Sequence, residues 1–253
     1  MPVEQSVNLA NQGIGAGFMG LNPLFLGLSL LTMLLGLVTQ WWIKRTFNRF
    51  SHVPTASGLT GAQVAQRILQ AKGIAAQPGA PTSRESVGIT ATKGVLTDHY
   101  DPRKGIVALS EPVYGVNSIS STAVAAHEVG HAGQTAQRYF WGEIRTRLVP
   151  AVNFGSQAAG ILIMMGFFTA MTGLLWLGII FFALSVIFQL VTLPVEFNAS
   201  ARALNRLTET GLLTPEEVPG ARKVLQAAAL TYLASAMISV LYLLFYITMA
   251  RRR

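Results

Sequence analysis

Residues 158–194 read AAGILIMMGFFTAMTGLLWLGIIFFALSVIFQLVTLP, with no ionisable side chain from Ala158 to Pro194. As one helix this run would reach roughly 55 Å at 1.5 Å per residue, far beyond the ~30 Å hydrocarbon core of a bilayer. It must cross twice, turning near Thr169 to Gly173. Two further apolar segments flank it. The first, Pro23 to Ile43, ends in Trp41-Trp42 and Lys44-Arg45, an interfacial aromatic pair followed by a cationic stop. The last begins at Leu230, with Thr231, Tyr232, Ser235, Ser239, Tyr242 and Tyr246 mostly on one helical side, as suits a face packed inside a helix bundle. The expected fold is a mainly α integral membrane protein with about four transmembrane helices, at 23–43, 151–171, 173–194 and 230–250. A tail at 1–22 precedes them; its single charged residue, Glu4, and lack of basic groups argue for an uncleaved anchor rather than a signal peptide.

Composition agrees. The chain of 253 residues is 51% hydrophobic and 12% charged, against roughly 25% charged in soluble domains. It has no cysteine, which excludes disulfides and thiolate metal ligands. The formal charge of +8 is dispersed and mostly flanks apolar runs, so anionic lipid headgroups rather than nucleic acid are the expected partner. A channel or transporter would place ionisable groups inside its spans; these spans carry essentially none.

A double crossing returns the chain to the side it left, so residues 44–150 and 195–229 share one aqueous compartment. The first holds His127-Glu128-Val129-Gly130-His131. Residues four apart on a helix lie one above the other, so both imidazoles can face one metal ion, with Glu128 beside them to take a proton from water. Ser120, Ser121 and Thr122 offer hydroxyls to start that helix. Gly130 and Gly133 each cost about 1 kcal/mol of helix propensity relative to alanine, which points to close packing against a neighbour.

A hydrolytic zinc site needs three protein ligands and one open position. Glu196, the only carboxylate between Glu143 and Glu209, is the candidate third ligand. It lies in the first turn of a helix expected to begin at Pro194, where a carboxylate also serves the helix dipole, the alternative reading of this residue. Small Ala199, Ser200 and Ala203 leave its face open to close approach.

Several stretches in one order are recognisable: Ser57-Gly58-Leu59-Thr60-Gly61, Leu96-Thr97-Asp98-His99-Tyr100-Asp101-Pro102-Arg103, Leu109-Ser110-Glu111, Ala125-Ala126-His127-Glu128-Val129-Gly130-His131-Ala132, Pro194-Val195-Glu196-Phe197 and Ala228-Ala229-Leu230-Thr231-Tyr232. In these the chain resembles the YugP-like neutral zinc metallopeptidases of bacterial membranes and, more distantly, the HtpX and CAAX-prenyl membrane proteases. The resemblance implies one catalytic zinc ion on His127, His131 and Glu196, with Glu128 as base, in a gluzincin arrangement. It also implies a small α+β zincin-like metallopeptidase domain, placed at 44–150 between the first and second spans, with 195–229 returning the third ligand. Asn198 and Ser200 stand where those relatives are expected to carry Asp, which puts an acidic partner for the histidine ligands in question.

Elsewhere in the soluble stretch, Thr60-Gly61-Ala62-Gln63 is a capping-box pattern opening a helix to about Lys72, with Val64, Ile68 and Leu69 inward and Gly73 ending it. Residues 75–93 are expected as short strands or loop. Val95-Leu96 and Ile106-Val107-Ala108-Leu109 have strand character around the turn residues Asp101 to Gly105. Thr214-Pro215-Glu216-Glu217 is a second capping box. By the zincin analogy a strand edge would receive an extended peptide. His99, Tyr114 and Arg202 are candidates for assisting catalysis, for example as donors to a developing oxyanion.

The expected function is a zinc-dependent endopeptidase acting on polypeptides, membrane-bound ones included because Glu196 directly follows a span. The alternative is a catalytically silent zinc-binding membrane scaffold or chaperone-like protein. Residues 44–148 and 195–229 hold sixteen of the nineteen basic residues, so the positive-inside rule puts the catalytic face in the cytoplasm of a bacterial inner membrane; Arg251-Arg252-Arg253 pull the other way.

Overall fold

The computed structural model describes residues 23–81 and 86–252; the expected tail at 1–22 lies outside them. The elements run α1 (Pro23–Ser51), α2 (Gly61–Ala71), β1 (Ala75–Pro78), β2 (Ser86–Thr92), β3 (His99–Asp101), β4 (Ile106–Ser110), α3 (Glu111–Tyr114), α4 (Ile119–Ala136), α5 (Phe140–Phe168), α6 (Thr172–Glu209) and α7 (Val218–Arg251). The protein is mainly helical with one small mixed sheet. Among the described residues four helices, α1, α5, α6 and α7, are long and apolar enough to cross a membrane. The break between α5 and α6 falls at residues 169–171, where Ala170 takes a left-handed φ of 54°.

One compact unit contains Trp41–Tyr139 and Val195–Leu230. Its sheet has the order β1-β2-β4-β3, with β1, β2 and β4 parallel and β3 antiparallel at the edge. β4 lies inside the sheet and reads as a continuous apolar run, as an interior strand should. Its Val107 and Leu109 are fully buried with Val64, Ile68 and Leu69 of α2, Val113 of α3 and Val129 of α4. α2 opens with the reciprocal Thr60–Gln63 cap and is followed by Gly73 at φ 69°. The Glu217 carboxylate accepts from the backbone N–H groups of Thr214 and Ala56, so the second capping box also ties down the 52–60 loop.

Three local expectations are corrected. Val95 and Leu96 are not a strand: Gly94 and Leu96 both have positive φ (103° and 59°), and pairing begins only at His99, opposite Ala108. α4 is capped by Ser118, not by Ser120 to Thr122. Ser118 is extended and exchanges hydrogen bonds with Ser121, while Ser120 is already helical and donates to the Phe47 carbonyl. Pro194 does not begin a helix either; it lies inside the 38-residue α6. A proline removes one intrahelical hydrogen bond, a loss that packing on both sides of a long helix can absorb. Glu196 is therefore mid-helix, and the helix-dipole explanation for it falls away.

The second unit comprises residues 23–40, Phe140–Pro194 and 231–252. Ile163, Leu175, Ile179 and Tyr246 form its core. Thr32 of α1 and Tyr242 of α7 share a hydrogen bond of 3.2 Å, and the rings of Phe182 and Tyr246 meet edge to face at 5.4 Å. α5 and α6 approach through glycines: a Cβ on Gly178 would lie 2.8 Å from the Ile163 backbone nitrogen, and one on Gly166 would lie 2.5 Å from that of Leu175. Small residues at such crossings let apolar helices touch where no hydrophobic effect drives them together. Gly178→Leu should force this hairpin apart and lower the melting temperature in detergent, with overpacking costing about 1–3 kcal/mol. Gly173→Ala, where nothing lies within 4 Å of the new Cβ, should melt close to the unsubstituted protein.

Candidate metal centre

His127 and His131 stand one turn apart on α4 with their rings edge to face, centroids 4.7 Å apart. Their Nε2 atoms are 3.1 Å apart, and Glu196 Oε2 of α6 lies 3.2 Å from the first and 3.4 Å from the second. The carboxylate is buried at 2% exposure; His127 is buried and His131 half-buried. The three ligand atoms thus form a nearly equilateral triangle. Bonds of about 2.0–2.1 Å to a tetrahedral zinc ion imply edges of about 3.4 Å, so triangle and donor set both fit such an ion.

The close approach of two helices brings these side chains together. Gly130, between the histidines, lies directly on the α6 backbone: a Cβ there would meet the Ala199 carbonyl oxygen at 2.7 Å. Ala199 is fully buried, and Ala203, one turn on, almost so. Gly133 is close to a different group. Its absent Cβ would lie 2.6 Å from the Lys72 ammonium, whose pKa is held below the usual lysine value first by burial and then by Arg206 and Arg202.

Neutral groups hold the outer face of each imidazole. His127 Nδ1 is 3.2 Å from Ser200 Oγ, and His131 Nδ1 is 3.0 Å from Gln134 Oε1. Gln134 is itself buried and donates through Nε2 to the Val195 carbonyl (2.8 Å) and to Asn198 Oδ1 (3.0 Å). Arg202 donates from Nε to Asn198 Oδ1 at 2.6 Å and from Nη1 to Gln137, with its guanidinium 5.8 Å from the Tyr139 ring centroid. Arg202 therefore touches the asparagine and not the ligand atoms. Gln134 was missed from sequence, although it lies three residues after His131 on the same helical face.

Glu128 is buried on α4 beside His127. His99 sits on edge strand β3 and gives its Nδ1 hydrogen to the Thr97 carbonyl. The adjoining Asp98 accepts from both the N–H and the hydroxyl of Ser110, yet burial outweighs those bonds and raises its pKa. Tyr100 is hydrogen-bonded to Thr135 and links β3 to α4. Tyr114 ends α3 and packs against the core.

Among the described residues, then, four helices are long and apolar enough to cross a membrane, and His127, His131 and Glu196 form a group that could hold a metal ion. The profile of the family described as "Putative neutral zinc metallopeptidase" matches residues 25–251, and the chain belongs to that family. It is 44% identical over 213 residues to the "Putative membrane protease YugP" of Bacillus subtilis (strain 168), covering 84% of this chain and 90% of that protein. No solved structure matches the chain.

The two glycines of α4 give a paired test. Gly130→Ala should push α4 off the α6 backbone and sharply reduce divalent metal content, measured by elemental analysis of purified protein. Gly133→Ala meets only the mobile end of a lysine and should keep most of its metal.

Proposed function

We propose that this protein is a membrane-bound zinc endopeptidase of the gluzincin type, with zinc held by His127, His131 and Glu196 and with Glu128 as general base. The observation that carries the reading is the 3.1–3.4 Å triangle of two imidazole nitrogens and one buried carboxylate oxygen, next to a buried glutamate one residue along the same helix. Family membership and the relative named a membrane protease support it. Zinc bound there would polarise a scissile carbonyl and lower the pKa of its water to about 7.

The chain's own groups supply the rest. Glu128 takes a proton from the attacking water on its carboxylate and returns it to the departing amine. Its burial keeps bulk water from competing for that proton and strengthens its local electrostatics. Arg202 acts through Asn198 and is a positioning residue. His99, having given its Nδ1 hydrogen to Thr97, presents an acceptor at Nε2, so it would steady an oxyanion only as the imidazolium. Tyr114 carries a phenol able to donate to a substrate carbonyl.

The substrate class is polypeptide. Membrane-embedded or membrane-tethered chains are the natural choice, because Glu196 follows an uncharged run of the same helix within two residues of Pro194. The distribution of basic residues favours a cytoplasmic catalytic face in a bacterial inner membrane.

Glu128→Gln should lower the rate of peptide hydrolysis in detergent by about 10²- to 10⁴-fold while leaving zinc stoichiometry unchanged. Glu196→Ala should lose most of the zinc. Wild-type zinc content in the Glu196 variant would remove that residue from the ligand set, and undiminished turnover in the Glu128 variant would favour a different base.

A further inference from the structure

The polar chain behind His131 has a direction, because its end groups can each play only one role. Arg202 is a donor with no acceptor, so the Asn198 atom it meets at 2.6 Å must be the carbonyl oxygen. That oxygen faces the Gln134 amide at 3.0 Å and obliges it to present NH₂. The Val195 carbonyl can only accept, and makes the same demand at 2.8 Å. Both hydrogens of Gln134 Nε2 are then committed, and Oε1 is left pointing at His131 Nδ1, 3.0 Å away. An amide oxygen accepts, so Nδ1 must carry a hydrogen, and in the neutral imidazole Nε2 is then bare.

We propose that Gln134, fixed in one orientation by Val195 and the Arg202–Asn198 pair, locks His131 in the Nδ1–H tautomer and so presents its Nε2 lone pair to the metal before the metal arrives. This rests on the zinc reading above and deepens it, assigning to a neutral amide the orienting role that carboxylates or backbone carbonyls often fill. The contrast with His127 is informative. Its Nδ1 faces the Ser200 hydroxyl, which can donate or accept and therefore imposes no tautomer. The Ser200 contact leaves the choice of His127 tautomer open, whereas the Gln134 contact fixes that of His131.

The test uses the full-length protein in detergent with zinc as the probe. Its dissociation constant is measured by competition with a chromogenic chelator, and the His131 tautomer is read by ¹⁵N chemical shifts of the zinc-stripped protein, assigned by loss of the signal in His131→Gln. Gln134→Leu keeps the volume but removes the acceptor. It should weaken zinc binding about ten- to a hundredfold and let the Nε2–H tautomer appear. Asn198→Leu, at a half-buried position, should move both readouts in the same direction and decides the matter if Gln134→Leu does not fold. Asn198→Asp still accepts from Arg202 and Gln134 and should restore both values. Wild-type zinc affinity and an unmixed Nδ1–H signal in the leucine variants would overturn the proposal. Failure of the unsubstituted protein to take up zinc would instead overturn the zinc reading, and this proposal with it.

Discussion

Helix α4 lies against helix α6 at a separation only glycine permits. Gly130 sits on the Ala199 carbonyl with no room for a Cβ, and from that contact the ligand triangle follows: the histidines flank the glycine on one helix and Glu196 projects from the other. The crossing also places Gln134 against Val195 and Asn198, and Ser200 against His127. A side chain at the crossing would lengthen every one of these distances together. The helix propensity given up at Gly130, about 1 kcal/mol, is small beside what the closeness makes possible.

The groups around the imidazoles are neutral: a serine hydroxyl, a glutamine amide and, behind it, an asparagine held by an arginine. Carboxylates in those places would make the imidazoles stronger donors to the metal. Neutral groups orient the rings without adding negative charge, and under the proposed reading would leave a divalent ion held there more electron-poor and better able to polarise a carbonyl. Arg202 brings its positive charge to the outer edge of the network, three hydrogen bonds away from the His131 imidazole. Its part is to fix which way Asn198 points.

The apolar helices and the shared face of His127 and His131 were legible in the sequence because both rest on short-range periodicity. An uncharged run of that length can only cross a bilayer, and residues four apart on a helix can only share a face. The approach of Glu196 to that pair was legible for a different reason: no other carboxylate lies between Glu143 and Glu209. What escaped depended on contacts distant in sequence or on backbone geometry. Gln134 gains its role from Val195 and Asn198, more than sixty residues away, so nothing local distinguishes it from any polar residue on a helix. The strand expected at Val95-Leu96 failed because a left-handed turn at Leu96 delays pairing until His99. Pro194 looked like a helix start, since proline favours that position, but a 38-residue helix tolerates one missing hydrogen bond. Ser118 took the cap from its neighbours by being extended one turn earlier.

In the proposed centre, two imidazoles from one helix and a carboxylate from another would close around a single zinc ion. Zinc K-edge X-ray absorption of the purified full-length protein examines that coordination directly. Two imidazole scattering contributions with oxygen ligation at about 2.0–2.2 Å and no further imidazole are expected. A spectrum showing three or more imidazoles, or a single one, would contradict it.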